Sequence, residues 1–161
     1  MSNKILDPEF YSITREIMKN EDVQKLGHIN HHGQSILHHS LKVSFVSWKW
    51  GRRLNMDAVS LARGALLHDF FLYDWNKVCI YPDRKFYEIH KRHGFTHPLT
   101  ALNNAEKRFK LNRKEQDIIR RHMFPLTLIP PRYPESWLVM IIDKLVSIGE
   151  IPHYLQYLKN R

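Results

Sequence analysis

Apolar residues recur at helical rather than alternating intervals along most of the chain. Between residues 35 and 54, Leu37, Leu41, Phe45 and Trp48 fall on one stripe, the period of a helix with one buried face. Leu61, Ala65, Leu66 and His68 continue that spacing in a following helix, opened by the N-cap residue Asp57 once Asn55 has ended the first. Asp7 before Pro8 predicts an earlier start, a cap followed by proline at the first helical position, and a helix through about residue 19. A short helix is expected over 21–26, and residues 27–33 read as a histidine-rich loop. Thr96 and Pro98 open a helix at His97 that runs to about Phe109. Asn112 with Glu115 is a capping-box signature for a helix ending near His122. After Pro125, Pro130, Pro131 and Pro134 interrupt the chain, the last long helix spans about 135–147, and a tail helix begins at Pro152. Residues 73–96 carry no clear period, only a turn at Pro82-Asp83. No segment alternates over strand length, so the expected fold class is all-α.

Composition narrows the setting. The chain of 161 residues is 43% hydrophobic and shows no repeat or linker, which suits one domain over residues 1–161 with a sizeable core. Cys79 is the only cysteine, so no intramolecular disulfide forms, and a reducing, cytoplasmic compartment is expected. The first eight residues lack the apolar region of a signal peptide. No apolar run approaches the ~20 residues that cross a bilayer, so no membrane partner is expected. The net charge of +9 comes from scattered pairs such as Arg52-Arg53, Lys91-Arg92 and Arg120-Arg121. Such charge either attracts a phosphate-rich small substrate or simply solvates helix faces. No helix-turn-helix or zinc-finger pattern is present, so nucleic acid is not the expected partner.

The candidate chemistry lies in the histidines and a few buried-looking aspartates. His68 and Asp69 close the apolar run Ala65-Leu66-Leu67, where an unpaired carboxylate is costly to bury and a metal ion removes that cost. With 11 histidines in the chain, chance alone supplies about half a His-Asp step, so placement is the stronger argument. His39, His97, His122 and Asp143 complete a set spread over five segments that can form one binuclear metal site. Asp143 stands within Val139-Met140-Ile141-Ile142-Asp143-Lys144-Leu145-Val146, again a place where a lone carboxylate is not expected. Such a site needs neutral imidazoles and carboxylates converging on two cations. A metal-bound water then ionises near neutral pH and becomes the nucleophile, while the cations stabilise charge on a phosphoryl group. His38 adjoins His39, but the two point about 100° apart on a helix, so only one can face the site.

In order and surroundings these residues resemble the HD-domain phosphohydrolase superfamily. His39-Ser40 followed by Val43 is similar to its first element, Ala65-Leu66-Leu67-His68-Asp69 to its second and Asp143-Lys144 to its last. His97 before Pro98, and His122 after Ile118-Ile119-Arg120-Arg121, resemble the subset with two metals, a layout shared by bacterial diadenosine tetraphosphate hydrolases and cyclic-dinucleotide phosphodiesterases of this type. The resemblance covers about residues 35–148. It implies an HD-domain-like helical bundle, and a binuclear iron or manganese centre held by His39, His68, Asp69, His97, His122 and Asp143. It further implies hydrolysis of a phosphoester or phosphoanhydride of a small anionic substrate, a nucleotide above all. A di-iron oxygenase and a non-catalytic nucleotide or metal sensor are the alternatives. The Gly-Tyr-Pro extension of the cyclic-dinucleotide enzymes is missing, and the run Phe70-Phe71-Leu72-Tyr73-Asp74-Trp75 is more aromatic than the usual continuation.

Further residues have assigned expectations. Lys144 faces either a substrate phosphate or a salt-bridge partner. Asp74 is a candidate general base or a partner for Lys144. Arg63 can hold phosphate through its planar fork, although helix spacing favours a structural salt bridge. His93 can bind substrate or replace His97, and His32 is the loop histidine expected near phosphate. Phe70, Phe71, Tyr73 and Trp75 either stack on a nucleobase or pack in the core.

Overall fold

The computed structural model describes residues 7–31, 34–73 and 93–159. Among them are seven α-helices: α1 Pro8–Met18, α2 Glu21–Lys25, α3 Ile36–Arg53, α4 Ala58–Leu67, α5 His93–Glu106, α6 Arg113–Arg121 and α7 Pro134–Lys159. One 3-10 turn, Leu26–His28, follows α2, and a two-residue antiparallel ladder pairs Asn30–His31 with Gln34–Ser35. That ladder lies in the expected histidine-rich loop and leaves the all-α class intact.

The helix starts follow capping chemistry. Asp7 accepts from the Glu9 and Phe10 amides, and Asn20 from those of Asp22 and Val23. Ser35 accepts from the His38 amide at the head of α3, and Asp57 from that of Ser60 at the head of α4. Asn112 and Glu115 bond reciprocally at 2.9 Å as a complete capping box. Each cap satisfies amides that a helix start leaves orphaned and is worth about 1 kcal/mol.

Helix α4 lies at the centre, packed against α1, α3, α5, α6 and α7. Two glycines allow the closest of these approaches. A methyl group on Gly51 of α3 would overlap Leu61 of α4, and one on Gly64 would stand 2.9 Å from the Ile118 side chain of α6. A mainly aliphatic core (Val43, Leu61, Ala65, Ile118, Val139, Ile142) fills the space between α3, α4, α6 and α7. A second core gathers Ile17, Leu26, Ile36, Leu66, Leu67, Phe70, Phe71, Leu102 and Ile119. Phe70 and Phe71 are fully buried there, each worth roughly 1.5–3 kcal/mol of apolar burial.

Three expectations are corrected. The buried face of α3 is Ile36, His39, Ser40, Val43, Ser44, Ser47, Trp48 and Gly51, not the Leu37–Leu41–Phe45 stripe, whose members are only half-buried. Buried serines defeat a hydropathy count, because what admits one to the interior is a partner on another element; Ser44 donates across to the Ala62 carbonyl of α4 at 2.6 Å. Helix α5 starts at His93 rather than His97, with Pro98 inside it; proline removes only one amide there, close to the helix start. Helix α7 runs unbroken to Lys159, so the expected tail helix is its continuation.

Candidate metal centre

Five helices deliver one residue or pair each to a common interior. His39 lies in the first turn of α3, His97 in the second turn of α5 and Asp143 midway along α7. His68 and His122 are the C-cap residues of α4 and α6, and Asp69 follows directly. All six are buried, none more than 8% exposed. His38, the alternative to His39, is exposed.

The two C-cap histidines use one local device. His68 Nδ1–H donates to the Ala65 carbonyl at 2.7 Å, and His122 Nδ1–H to the Ile119 carbonyl at 2.8 Å. A carbonyl only accepts, so each bond sets the proton on Nδ1 and turns Nε2 inward. Hydropathy carries no trace of these carbonyls; the signal available was a histidine just past a helix end, three residues beyond an unpaired carbonyl.

Asp69 joins the rest. Its Oδ2 is 3.4 Å from His68 Nε2, while Oδ1 is 3.3 Å from His97 Nε2 and 3.4 Å from His122 Nε2. The two ring nitrogens of His97 and His122 are 2.9 Å apart. Asp143 Oδ1 stands 2.9 Å from His39 Nε2 and 3.5 Å from His68 Nε2. The first distance is a hydrogen bond in which the His39 ring donates, since an ionised carboxylate only accepts. Two groups that can each hold a metal ion result, His39–His68–Asp69 and Asp69–His97–His122, sharing Asp69.

The donors fit divalent cations on their own terms. His68 Nε2 and Asp69 Oδ1 are buried without a hydrogen-bond partner among the described residues, and such atoms cost about 1–3 kcal/mol each when left so. A neutral His68 aims its lone pair at carboxylate oxygens, an arrangement that repels until a cation or a proton lies between. Two ligands of one ion, each about 2.1 Å from it, stand roughly 3–3.5 Å apart, the spacing found here. Mixed imidazole and carboxylate donors suit zinc, iron or manganese rather than calcium.

Electrostatics follow from the same contacts. Burial works against the Asp69 carboxylate, but the surrounding imidazoles of His68, His122 and His97 hold its pKa well below the ordinary value. Asp143 is likewise kept ionised, against its burial, by His39 and His68. Burial disfavours the His68 imidazolium, yet Asp69 and Asp143 outweigh it and raise the pKa. For His122 burial prevails, helped by His68 and His97, and the pKa is lowered.

The other expected site residues divide. Lys144 Nζ donates to the His122 carbonyl at 3.1 Å, and burial lowers its pKa against the opposing pull of Asp143. Arg63 is corrected. Its guanidinium bonds Glu115 at 2.7 Å and the Lys110 carbonyl at 3.2 Å, with Glu16 at 3.5 Å, so it braces α4 against the capping box of α6. Phe70 and Phe71 are core residues, with the Phe71 ring edge-on to His97 at 5.6 Å. Asp74, Trp75 and His32 lie outside the described residues, as does the side chain of His93.

Comparison with known families matches residues 36–148 to the HD domain. No curated protein and no solved structure matches the chain. The match covers most of the chain, so the chain belongs to the HD-domain family, whose members bind divalent metals and are generally metal-dependent phosphohydrolases. Among the described residues no helix is long and apolar enough to cross a membrane.

Proposed function

We propose that this HD-domain chain is a metal-dependent phosphohydrolase with a binuclear centre, cleaving a phosphoester or phosphoanhydride of a small anionic substrate, a nucleotide first among them. One observation carries the reading: the two carboxylate oxygens of Asp69 turn to separate histidine groups, Oδ2 to His68 and Oδ1 to His97 and His122. His39, His68 and Asp143 with Asp69 would hold one cation, and His97 and His122 with Asp69 the other, iron or manganese in each case. Divalent cations held there supply Lewis acidity toward phosphoryl oxygen and acidify coordinated water.

The chain's own residues orient and enclose. The Ala65 and Ile119 carbonyls keep His68 and His122 in the tautomer that ligates. Lys144 leaves two ammonium protons beyond its bond to the His122 carbonyl, and these are assigned to a substrate phosphate. Asp74 is assigned as general base, and His32 and His93 as substrate contacts, on their places in the sequence. The setting proposed is cytoplasmic.

The test joins metal content to turnover. Protein purified without oxygen is analysed for metals, then given nucleotides and generic phosphodiesters with Mn²⁺ or Fe²⁺. Two metals per chain and hydrolysis abolished in Asp69→Ala are expected. A silent panel on fully metallated protein would sink the hydrolase. Iron-specific oxygen consumption would replace it with the oxygenase, and tight nucleotide binding without turnover with the sensor.

A further inference from the structure

The outward face of α6 concentrates positive charge that the metal cluster does not use. Glu115, Ile118, Ile119 and His122 follow one another at helical spacing and are buried. Arg113, Gln116, Asp117 and Arg120 repeat the same spacing two residues earlier, and so lie on nearly the opposite side of the helix. With Leu102, Arg121, Arg132 and Tyr133 they line a cleft of about 420 Å³.

Asp117 is the one carboxylate in that lining, and it is already engaged. Its Oδ1 pairs with Arg121 Nε at 2.6 Å and its Oδ2 accepts the Arg132 amide at 2.9 Å. Arg121 also donates to the Pro130 carbonyl at 2.6 Å. These bonds pin the segment before α7 onto α6 and neutralise Arg121. The guanidinium groups of Arg113, Arg120 and Arg132, all exposed, are left around the cleft without a carboxylate partner among the described residues. An anion held in the cleft would meet their charge.

A second hollow of about 200 Å³ shares Arg120 and Arg121 with the cleft and is otherwise lined by Phe95, Pro98, Leu99, Thr127 and Ile129. The combined site is cationic on one side of Arg120 and largely apolar on the other.

We propose that this cleft binds a phosphate-bearing ligand, separately from the metal cluster, with the ligand's apolar or aromatic part in the adjoining hollow. Phosphate suits the geometry because each planar guanidinium donates in a fork to paired oxygens, and a polyphosphate offers enough oxygens and charge for three of them. A single carboxylate does not. The concave shape favours a discrete ligand over a flat lipid surface.

Calorimetric titration tests this with tripolyphosphate in about 0.15 M salt, where weak surface attraction is screened. Metal-stripped wild type and Asp69→Ala are expected to bind equally. The triple variant Arg113→Gln/Arg120→Gln/Arg132→Gln, which removes no side-chain ion pair among the described residues, should bind at least about tenfold more weakly with unchanged circular dichroism. Adenosine triphosphate should bind the stripped wild type more tightly than tripolyphosphate, and the uncharged Ile129→Asn should remove that increment alone. Absence of binding to stripped wild type, or equal binding by the triple variant, overturns the proposal. So does binding only to metal-loaded protein, which assigns the anion to the metal centre. An affinity for adenosine triphosphate no greater than for tripolyphosphate overturns the role of the hollow. Sedimentation with phosphatidylglycerol vesicles in place of tripolyphosphate binding assigns the face to a lipid surface, where Leu128 is 88% exposed.

Discussion

His68 and His122 occupy the same local structure and meet opposite surroundings. Each caps a helix C-terminus, donates Nδ1–H to the carbonyl three residues back and turns Nε2 inward. Around His68 stand two carboxylates, Asp69 and Asp143, which raise its pKa in spite of burial. His122 is met by burial and by two further imidazoles, with Asp69 as the carboxylate bonded to it, and its pKa is lowered. Backbone geometry therefore orients both rings identically, while the number of neighbouring carboxylates decides what charge each side welcomes. The His39–His68–Asp143 side carries one negative charge that the His97–His122 side lacks. It should grip a cation more firmly.

Removing the shared ligand tests both sides at once. Asp69→Ala should leave almost no metal after dialysis and lower any phosphohydrolase rate roughly thousandfold or more. Retention of two metals would show that Asp69 joins nothing. The inequality itself is probed by Asp143→Asn against His122→Ala, followed by chelator titration with elemental analysis. Under the proposed binuclear centre, His122→Ala should lose the weaker metal and keep the tighter one; Asp143→Asn should weaken the tighter one about a hundredfold, so that the two metals leave together. Equal losses in both variants would break the comparison.

Lys144 sharpens it further. Its bond to the His122 carbonyl ties α7 to the end of α6 on the His97–His122 side, while its charge acts on Asp143 of the other. In the proposed centre, Lys144→Met should loosen the cation held by His97 and His122 about tenfold, as partners behind a ligand typically do, and, by removing a positive charge near Asp143, should not loosen the other.

The smallest effect lies away from the cluster and calibrates the fold. Burial works against the ionised Glu135, but Lys114 at 2.7 Å and the Asp57 amide outweigh it and hold its pKa below the ordinary 4.5. A depressed carboxylate stabilises the fold above its unfolded pKa and stops doing so as pH falls through its folded one. Thermal unfolding of metal-free Glu135→Gln should therefore differ from wild type near neutral pH and converge with it as pH falls below about 4.5. A constant difference across that range would remove Glu135 ionisation from the account.

Legibility in the sequence tracked how local each cause is. The caps at Asp7, Asp57 and Asn112 were readable because a cap bonds amides two or three residues away. The buried face of α3 was not, because Ser40, Ser44 and Ser47 lie inside, and Ser44 looks like surface until its partner on α4, the Ala62 carbonyl, is in place. Thr96 and Pro98 suggested a helix start that in fact lies at His93. Arg63 was ambiguous between phosphate and carboxylate until the fold set Glu115 against it.

What the sequence by itself determined is the all-helical class, most helix boundaries and the HD-type order of His39, His68-Asp69 and Asp143. Periodicity, capping and motif spacing are written in consecutive residues. Only the tertiary structure decided that residues from five helices share one interior, that Asp69 divides its oxygens between two histidine groups, and that one group holds the extra carboxylate. Those relations depend on distances between segments up to 104 positions apart, as for His39 and Asp143. Packing around α4, through Gly51 and Gly64, sets such distances, and no local pattern encodes them.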